Sequence, residues 1–122
     1  MPFEVIGLHH TTLVVGDLDE ARDFYGNILG LSSVDRPNYD FEGAWFKCGD
    51  VEFHLIVAEE HLAPSRRHLA LAVNDFGACV EQLRENGVRL VGGPGTRPHS
   101  GRSFAFCKDP SGNLVEITGP PT

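Results

Sequence analysis

The sequence predicts an α+β fold built from two tandem βαβββ modules. Three observations predict it. His10-Thr-Thr-Leu-Val-Val-Gly-Asp17 and His68-Leu-Ala-Leu-Ala-Val-Asn-Asp75 form a repeat, each running from a His through apolar residues to an Asp seven positions on. Each Asp is followed by apolar residues at helical spacing. Each helical pattern is followed by short strand-like segments separated by turn signals.

The elements follow in order. The first strand opens at His10 and ends before Asp17, the candidate N-cap of a helix with Glu20 at the capping-box position. Leu18, Ala21, Tyr25, Ile28 and Leu29 make the apolar stripe of that helix, and Gly30 ends it. Strands are predicted at Ser32–Asp35, Gly43–Cys48 and Val51–Val57, with Gly49-Asp50 as the hairpin turn between the last two. Module one thus covers about 5–60, a Pro-containing linker covers 61–66, and module two covers about 67–119. In module two Asp75 caps a helix with the stripe Phe76, Cys79, Val80 and Leu83, stopped by Gly87. Strands are predicted at Val88–Val91, Ser103–Lys108 and Asn113–Thr118, with Asp109-Pro-Ser-Gly112 as a type I turn. One module alone would leave sheet edges open and half a core, so the two are expected to pack as one continuous sheet in a single domain, 1–122.

Composition narrows the function classes. The chain has 122 residues, 41% hydrophobic and 22% charged, an ordinary globular balance. Its formal net charge of −7 argues against nucleic acid and against anionic membrane as partners. No apolar run approaches the roughly 20 residues of a membrane span. The N-terminus lacks a basic region followed by an apolar one, so no signal peptide is expected. Cys48, Cys79 and Cys107 are odd in number and lack CxxC spacing, and read as buried free thiols in a reducing cytoplasm.

Strand alternation sorts the side chains by face. His10, Thr12 and Val14 share one face of the first strand, and Glu52, His54 and Ile56 share one face of Val51–Val57. His68, Ala70 and Ala72 share another, lined by small residues as a cavity wall would be, and Leu114, Glu116 and Thr118 share a face of the last strand. Four strands therefore each carry one metal-competent residue in an apolar setting: His10, His54, His68 and Glu116. Glu116 is flanked by Val115 and Ile117, and a buried carboxylate is costly unless paired or metal-bound. Spacing places each residue on its strand but does not bring them together. His9 faces away from His10 and reads as structural, and His61 and His99 fall in loops. His99 lies in the Gly/Pro-rich segment 92–102, a candidate lid. The loop Arg36–Glu42 together with Trp45 is a candidate specificity element, while core or interface is the favoured reading for Trp45 and Phe46.

These segments resemble the vicinal oxygen chelate superfamily, which holds glyoxalase I, extradiol dioxygenases, fosfomycin-modifying thiol transferases, methylmalonyl-CoA epimerases and metal-free bleomycin-binding proteins. The resemblance is carried by HHTTLVVGDLDEARDFYGNILGL (9–31), VEFHLIV (51–57), RRHLALAVND (66–75), ENGV (85–88) and FAFCKDPSGNLVEITG (104–119). It implies paired modules forming a cupped mixed sheet around one divalent metal: Zn, Ni, Co, Mn or Fe(II). Carried over by position, His10, His68 and Glu116 are its metal ligands, and His54 stands where glyoxalase I has a fourth. His54 is thereby a ligand, a general base or a pocket wall. Glu116 and His54 are the implied catalytic residues, and Thr12, Ala70, His99 and Arg102 the implied substrate contacts. The resemblance also implies a small-molecule substrate with vicinal oxygens and a homodimer, with the site formed within one chain or across the interface. Isomerase or lyase proton transfer is the favoured chemistry. A small extradiol-type dioxygenase and a non-catalytic drug-binding or resistance protein are the alternatives. Val14 and Ala58 stand where bacterial glyoxalase I enzymes place a glutathione-binding Arg and an Asn, which argues against glutathione recognition.

Overall fold

The computed structural model describes every residue except Met1, His61, Leu62, Pro64 and Thr122. Module one comprises β1 (His10–Val15), α1 (Leu18–Arg22), β2 (Ser32–Val34), β3 (Gly43–Cys48) and β4 (Val51–Val57). Module two comprises β5 (Leu69–Ala72), α2 (Phe76–Glu85), β6 (Leu90–Thr96), β7 (Ser103–Lys108) and β8 (Leu114–Gly119). The predicted linker, 61–66, lies partly outside the described residues, and so does His61. Each module makes a four-stranded sheet, in the orders β1-β4-β3-β2 and β5-β8-β7-β6. Its outer strands β1 and β5 pair parallel with β4 and β8, and the remaining pairs are antiparallel. The sequence repeat is thus a repeat of topology.

Local chemistry explains the elements. Asp17 accepts a hydrogen bond from the Glu20 amide at 2.9 Å, and Asp75 one from the Ala78 amide at 3.0 Å, so both predicted N-caps form. Gly30 and Gly87 follow the helices with φ of +77° and +74°, a region only glycine enters freely. Asp109 organises the β7–β8 turn: its Oδ1 accepts from the Ser111 and Asn113 amides at 3.0 and 2.8 Å.

Each sheet turns one face to its helix. Val15, Ala44, Phe46, Phe53 and Leu55 are buried in module one, and Leu71, Ala105, Cys107, Val115 and Ile117 in module two. These helix-covered faces merge into one core cluster that also takes in Phe24, Tyr25 and Leu83. A polar seam crosses it. The Tyr25 hydroxyl donates to Asp109 Oδ2 at 2.7 Å, and the Asn113 side-chain amide donates to the Val14 carbonyl at 2.9 Å. The Ser111 hydroxyl accepts from the Gly16 amide at 2.9 Å.

Three expectations change. The modules do not form one continuous sheet: each keeps its own four strands, and the Val14 carbonyl and Gly16 amide bond Asn113 and Ser111 of the β7–β8 turn. A cleft of about 610 Å³ runs between the β1 and β5 edges, bordered by Thr12, Val14, His68 and Leu114. The first helix is not α-helical throughout. From Asp23 to Ile28 it is π-helical, with the Leu29 amide bonding the Phe24 carbonyl five residues back. Phe24 and Tyr25 are both buried in this stretch. Finally, 92–102 is not a free lid. Residues 92–96 belong to β6, paired with β7 through two register shifts, and 97–102 is a tight turn closed by the Arg97 amide on the Arg102 carbonyl at 2.8 Å. The glycines there make room for rings, since a Cβ on Gly95 would lie 2.7 Å from the Phe104 ring.

Two predictions follow from this core. Tyr25→Phe should cost about 1–2 kcal/mol and Asp109→Ala about 3 kcal/mol in urea unfolding, with strong non-additivity in the double variant. Purely additive costs would show that the seam does not join the modules. The second concerns alkaline pH. Burial pushes the Cys107 thiol up to about 11, and burial with the Asp109 carboxylate pushes the Tyr25 phenol up as well. The unfolded chain ionises these groups near about 8.5 and 10, so it loses protons that the folded chain keeps. Stability should therefore be fully present below about pH 8 and fall as pH rises towards 11, with a shallower fall in Cys107→Ala. Urea midpoints across that range that do not move would refute it.

Candidate metal centre

The sheet faces opposite the shared core carry the polar residues. β4 lies between β1 and β3, with Thr12 and Trp45 both in register with His54. The His54 ring is consequently sandwiched. Trp45 stacks on it at 4.2 Å and 5°, and His10 at 4.3 Å and 21°. Stacking occupies the ring faces and leaves the edges free. On one edge His54 Nε2–H donates to Glu52 Oε1 at 2.8 Å, and this bond holds the Glu52 carboxyl below its ordinary value. The other ring nitrogen, Nδ1, remains for a second partner. His10 is treated alike: its Nδ1 lies 2.9 Å from Nδ1 of His9, leaving Nε2.

Module two builds a second pair. Glu116 is in register with Ala70, two residues beyond His68. Its Oε1 lies 3.0 Å from His68 Nε2, and its Oε2 accepts from Arg97 Nη2 at 3.3 Å. His68 Nδ1–H donates to the Arg66 carbonyl at 2.7 Å. That carbonyl can only accept, so Nδ1 carries a proton, and Nε2 faces the Glu116 carboxylate at hydrogen-bond distance. A cation, proton or metal, suits the space between them. Arg97 is itself held over the Phe104 ring at 3.8 Å.

The two pairs are equivalent by register. In each module the second residue sits on the strand parallel to β1 or β5, opposite the position two beyond the His: His54 opposite Thr12, and Glu116 opposite Ala70, although His68 itself immediately precedes β5 rather than lying in it as expected. His10 and His54 each have one nitrogen committed and one left, the arrangement that orients an imidazole for a metal, whereas His68 has Nδ1 on the Arg66 carbonyl and Nε2 against Glu116. Three imidazoles and a carboxylate suit a borderline divalent cation, so the donor set fits the implied metal.

The structure brings His10 to His54 and His68 to Glu116. It does not bring all four together within one chain: among the described residues, no group of three or more His, Cys, Asp or Glu side chains converges on one point. Thr12 and Ala70 sit beside the two pairs. Arg102 Nε–H donates to Thr118 Oγ1 at 3.0 Å, on the Glu116 face of β8, and His99 is exposed in the β6–β7 turn. His9 is not set apart from His10 but bonded to it, because β1 begins only at His10 and the residue before it is free of strand alternation. Trp45 is half-buried and stacks on His54 rather than joining the core. Glu52 and Arg97 were missed as site residues. Alternation does put Glu52 beside His54, whereas Arg97 was hidden in a segment read as loop.

Comparison with known proteins agrees with this architecture. A lactoylglutathione lyase of Neisseria meningitidis is 30% identical over 90% of this chain and 88% of its own. A crystal structure from Bacillus anthracis assigned to the glyoxalase family superposes with a TM-score of 0.85 at 27% identity, covering 98% of this chain and 99% of that one. The E126Q variant of the fosfomycin resistance protein FosX of Listeria monocytogenes, complexed with Mn(II) and 1S,2S-dihydroxypropylphosphonic acid, shares the fold at TM-score 0.83 and 17% identity over 96% and 94% of the chains. Residues 7–117, nearly the whole chain, match one family model, and by that match the chain belongs to the glyoxalase/bleomycin resistance protein/dioxygenase superfamily.

Proposed function

We propose that this protein is a divalent-metal-dependent enzyme that moves a proton on a small substrate bearing two neighbouring oxygens. The carrying observation is the register equivalence of the His10–His54 and His68–Glu116 pairs. His10, His54, His68 and Glu116 would hold the metal. When bound, a divalent cation supplies positive charge that stabilises an oxyanion on the substrate. The rest falls to the chain's own groups. Glu116, its second oxygen steadied by Arg97, is the proton acceptor. His54 is the second proton-competent group, its ring fixed by Trp45 and its Nε2–H held by Glu52. Thr12 and Ala70 flank the reacting atoms, while Arg102 and His99 border the module-two side.

We further propose a homodimer that completes the centre, with His10 and His54 of one copy facing His68 and Glu116 of the other. The modules of one chain join through their helix-covered faces, so the polar faces lie outside the shared core. The N-terminal segment also leaves Phe3, Val5, Ile6 and Leu8 mostly exposed, apolar surface of the kind a partner covers. A two-fold dimer then has two identical centres.

Purified protein should hold about one divalent ion per chain by metal analysis, lost in the His10→Ala/Glu116→Ala variant. No metal after incubation with Zn, Ni, Co, Mn or Fe(II) would sink the reading. Iron-dependent oxygen uptake would move the chemistry to ring cleavage. The dimer has its own test in complementation. His10→Ala/His54→Ala and His68→Ala/Glu116→Ala should each bind no metal, while their refolded mixture regains about a quarter of the wild-type capacity, since half of random dimers are mixed and each has one intact centre. A mixture that stays empty would show that each centre is built within one chain.

A further inference from the structure

The stack on His54 does not end at Trp45. From His10 the ring centroids run 4.3 Å to His54, 4.2 Å to Trp45, 6.2 Å to Tyr39 and 5.4 Å to Phe41. Tyr39 and Phe41 lie in the β2–β3 loop, parallel to within 10°, and are 46% and 44% exposed. The Arg36 guanidinium sits over both, 5.0 Å from the Tyr39 centroid and 4.8 Å from that of Phe41. It is held there by donating to the Phe41 carbonyl at 3.0 Å, and its buried Nε has no hydrogen-bond partner among the described residues. A row of rings needed only for packing would be covered. This row starts at two candidate metal ligands and ends in solvent, with its outer rings ordered by a cation.

We propose that Trp45, Tyr39 and Phe41 form a subsite for a planar aromatic group of the substrate, with Arg36 holding the platform in place. The proposal rests on the metal-centre reading for where the oxygens lie. A molecule whose neighbouring oxygens reach His10 and His54 has the rest of its body carried over Trp45 toward Tyr39. Offset or edge contacts between rings suit that path, and the row offers few polar groups to an aliphatic or peptide-like tail. The substrate class is then an aryl 2-oxo or 2-hydroxy acid, or a compound of that shape, rather than a short aliphatic one.

The test compares two probes with the same 2-oxo acid head, phenylglyoxylate and pyruvate, by calorimetry on the full chain with and without Mn(II). Binding of Mn(II) alone is measured first, which tests the metal centre separately. Phenylglyoxylate should bind about tenfold more tightly than pyruvate. Tyr39→Ala/Phe41→Ala should bring the two together without weakening Mn(II) binding, and Tyr39→Phe should keep the preference. Phe41→Leu keeps apolar bulk without a ring and should lose part of it, so the result does not depend on the double variant folding well. If Mn(II) binds and the two acids bind alike, or if the preference survives the double variant, the subsite is overturned and the metal centre stands. If Mn(II) does not bind but the ring-dependent preference remains, the subsite stands and the metal centre falls. Binding of neither acid overturns the subsite.

Discussion

A slip of one residue in the parallel pairing of β1 with β4 would turn His54 into the core and Phe53 out to solvent. The same slip between β5 and β8 would exchange Glu116 for Val115 or Ile117. Every feature of the candidate centre depends on these two registers. They are strongly held, because the alternate residues are among the most completely buried in the molecule: Phe53, Leu55, Val115 and Ile117 are each exposed by 1% or less. Burying one such side chain contributes roughly 1.5–3 kcal/mol, so exposing a whole strand face would cost several times the value of any one polar contact at the site. The apolar face fixes the geometry of the polar one.

Between the modules the balance is different. Tyr25, Asp109, Asn113 and Ser111 contribute a few hydrogen bonds, each of order 1 kcal/mol net, beside a much larger apolar cluster. Their weight lies in direction. Hydrophobic contact has no preferred angle, whereas a buried phenol and carboxylate 2.7 Å apart tolerate little rotation. The seam selects one way for the two helix-covered faces to meet. It also occupies the Val14 carbonyl of β1 and the Gly16 amide just beyond that strand.

Much of this was legible in the chain. The helix caps, the hairpin at Gly49-Asp50, the module order and the faces of His10, His54 and Glu116 all follow from local chemistry and a period of two or of about 3.6. What was hidden depends on partners far apart in sequence. The π-helical turn carries Phe24 and Tyr25, both buried in a core built partly by the other module. The strand in 90–96 exists because Phe104 and Phe106 need glycines opposite them, so a composition that reads as loop is a packing requirement. Arg97 acquires its meaning only when that strand returns it to Glu116, 19 residues on.

The three histidines show how a small set of neighbours can specify the role of a ring. An imidazole has two faces and two nitrogens, and leaving any of them unassigned leaves the ring free to turn. His54 has both faces stacked and one nitrogen bonded, so its remaining nitrogen has one direction available. His68 has one nitrogen on a backbone carbonyl and an edge-to-face contact with Phe106, and its other nitrogen is committed toward Glu116. Ordering these rings before a ligand arrives removes a conformational cost that would otherwise reduce affinity. It also ties specificity to the same contacts, since Trp45, which immobilises His54, is the ring from which the aromatic row departs. On the proposed reading, loosening Trp45 would disturb His54 and the aromatic subsite together, whereas changes at Tyr39 or Phe41 would act on the subsite alone.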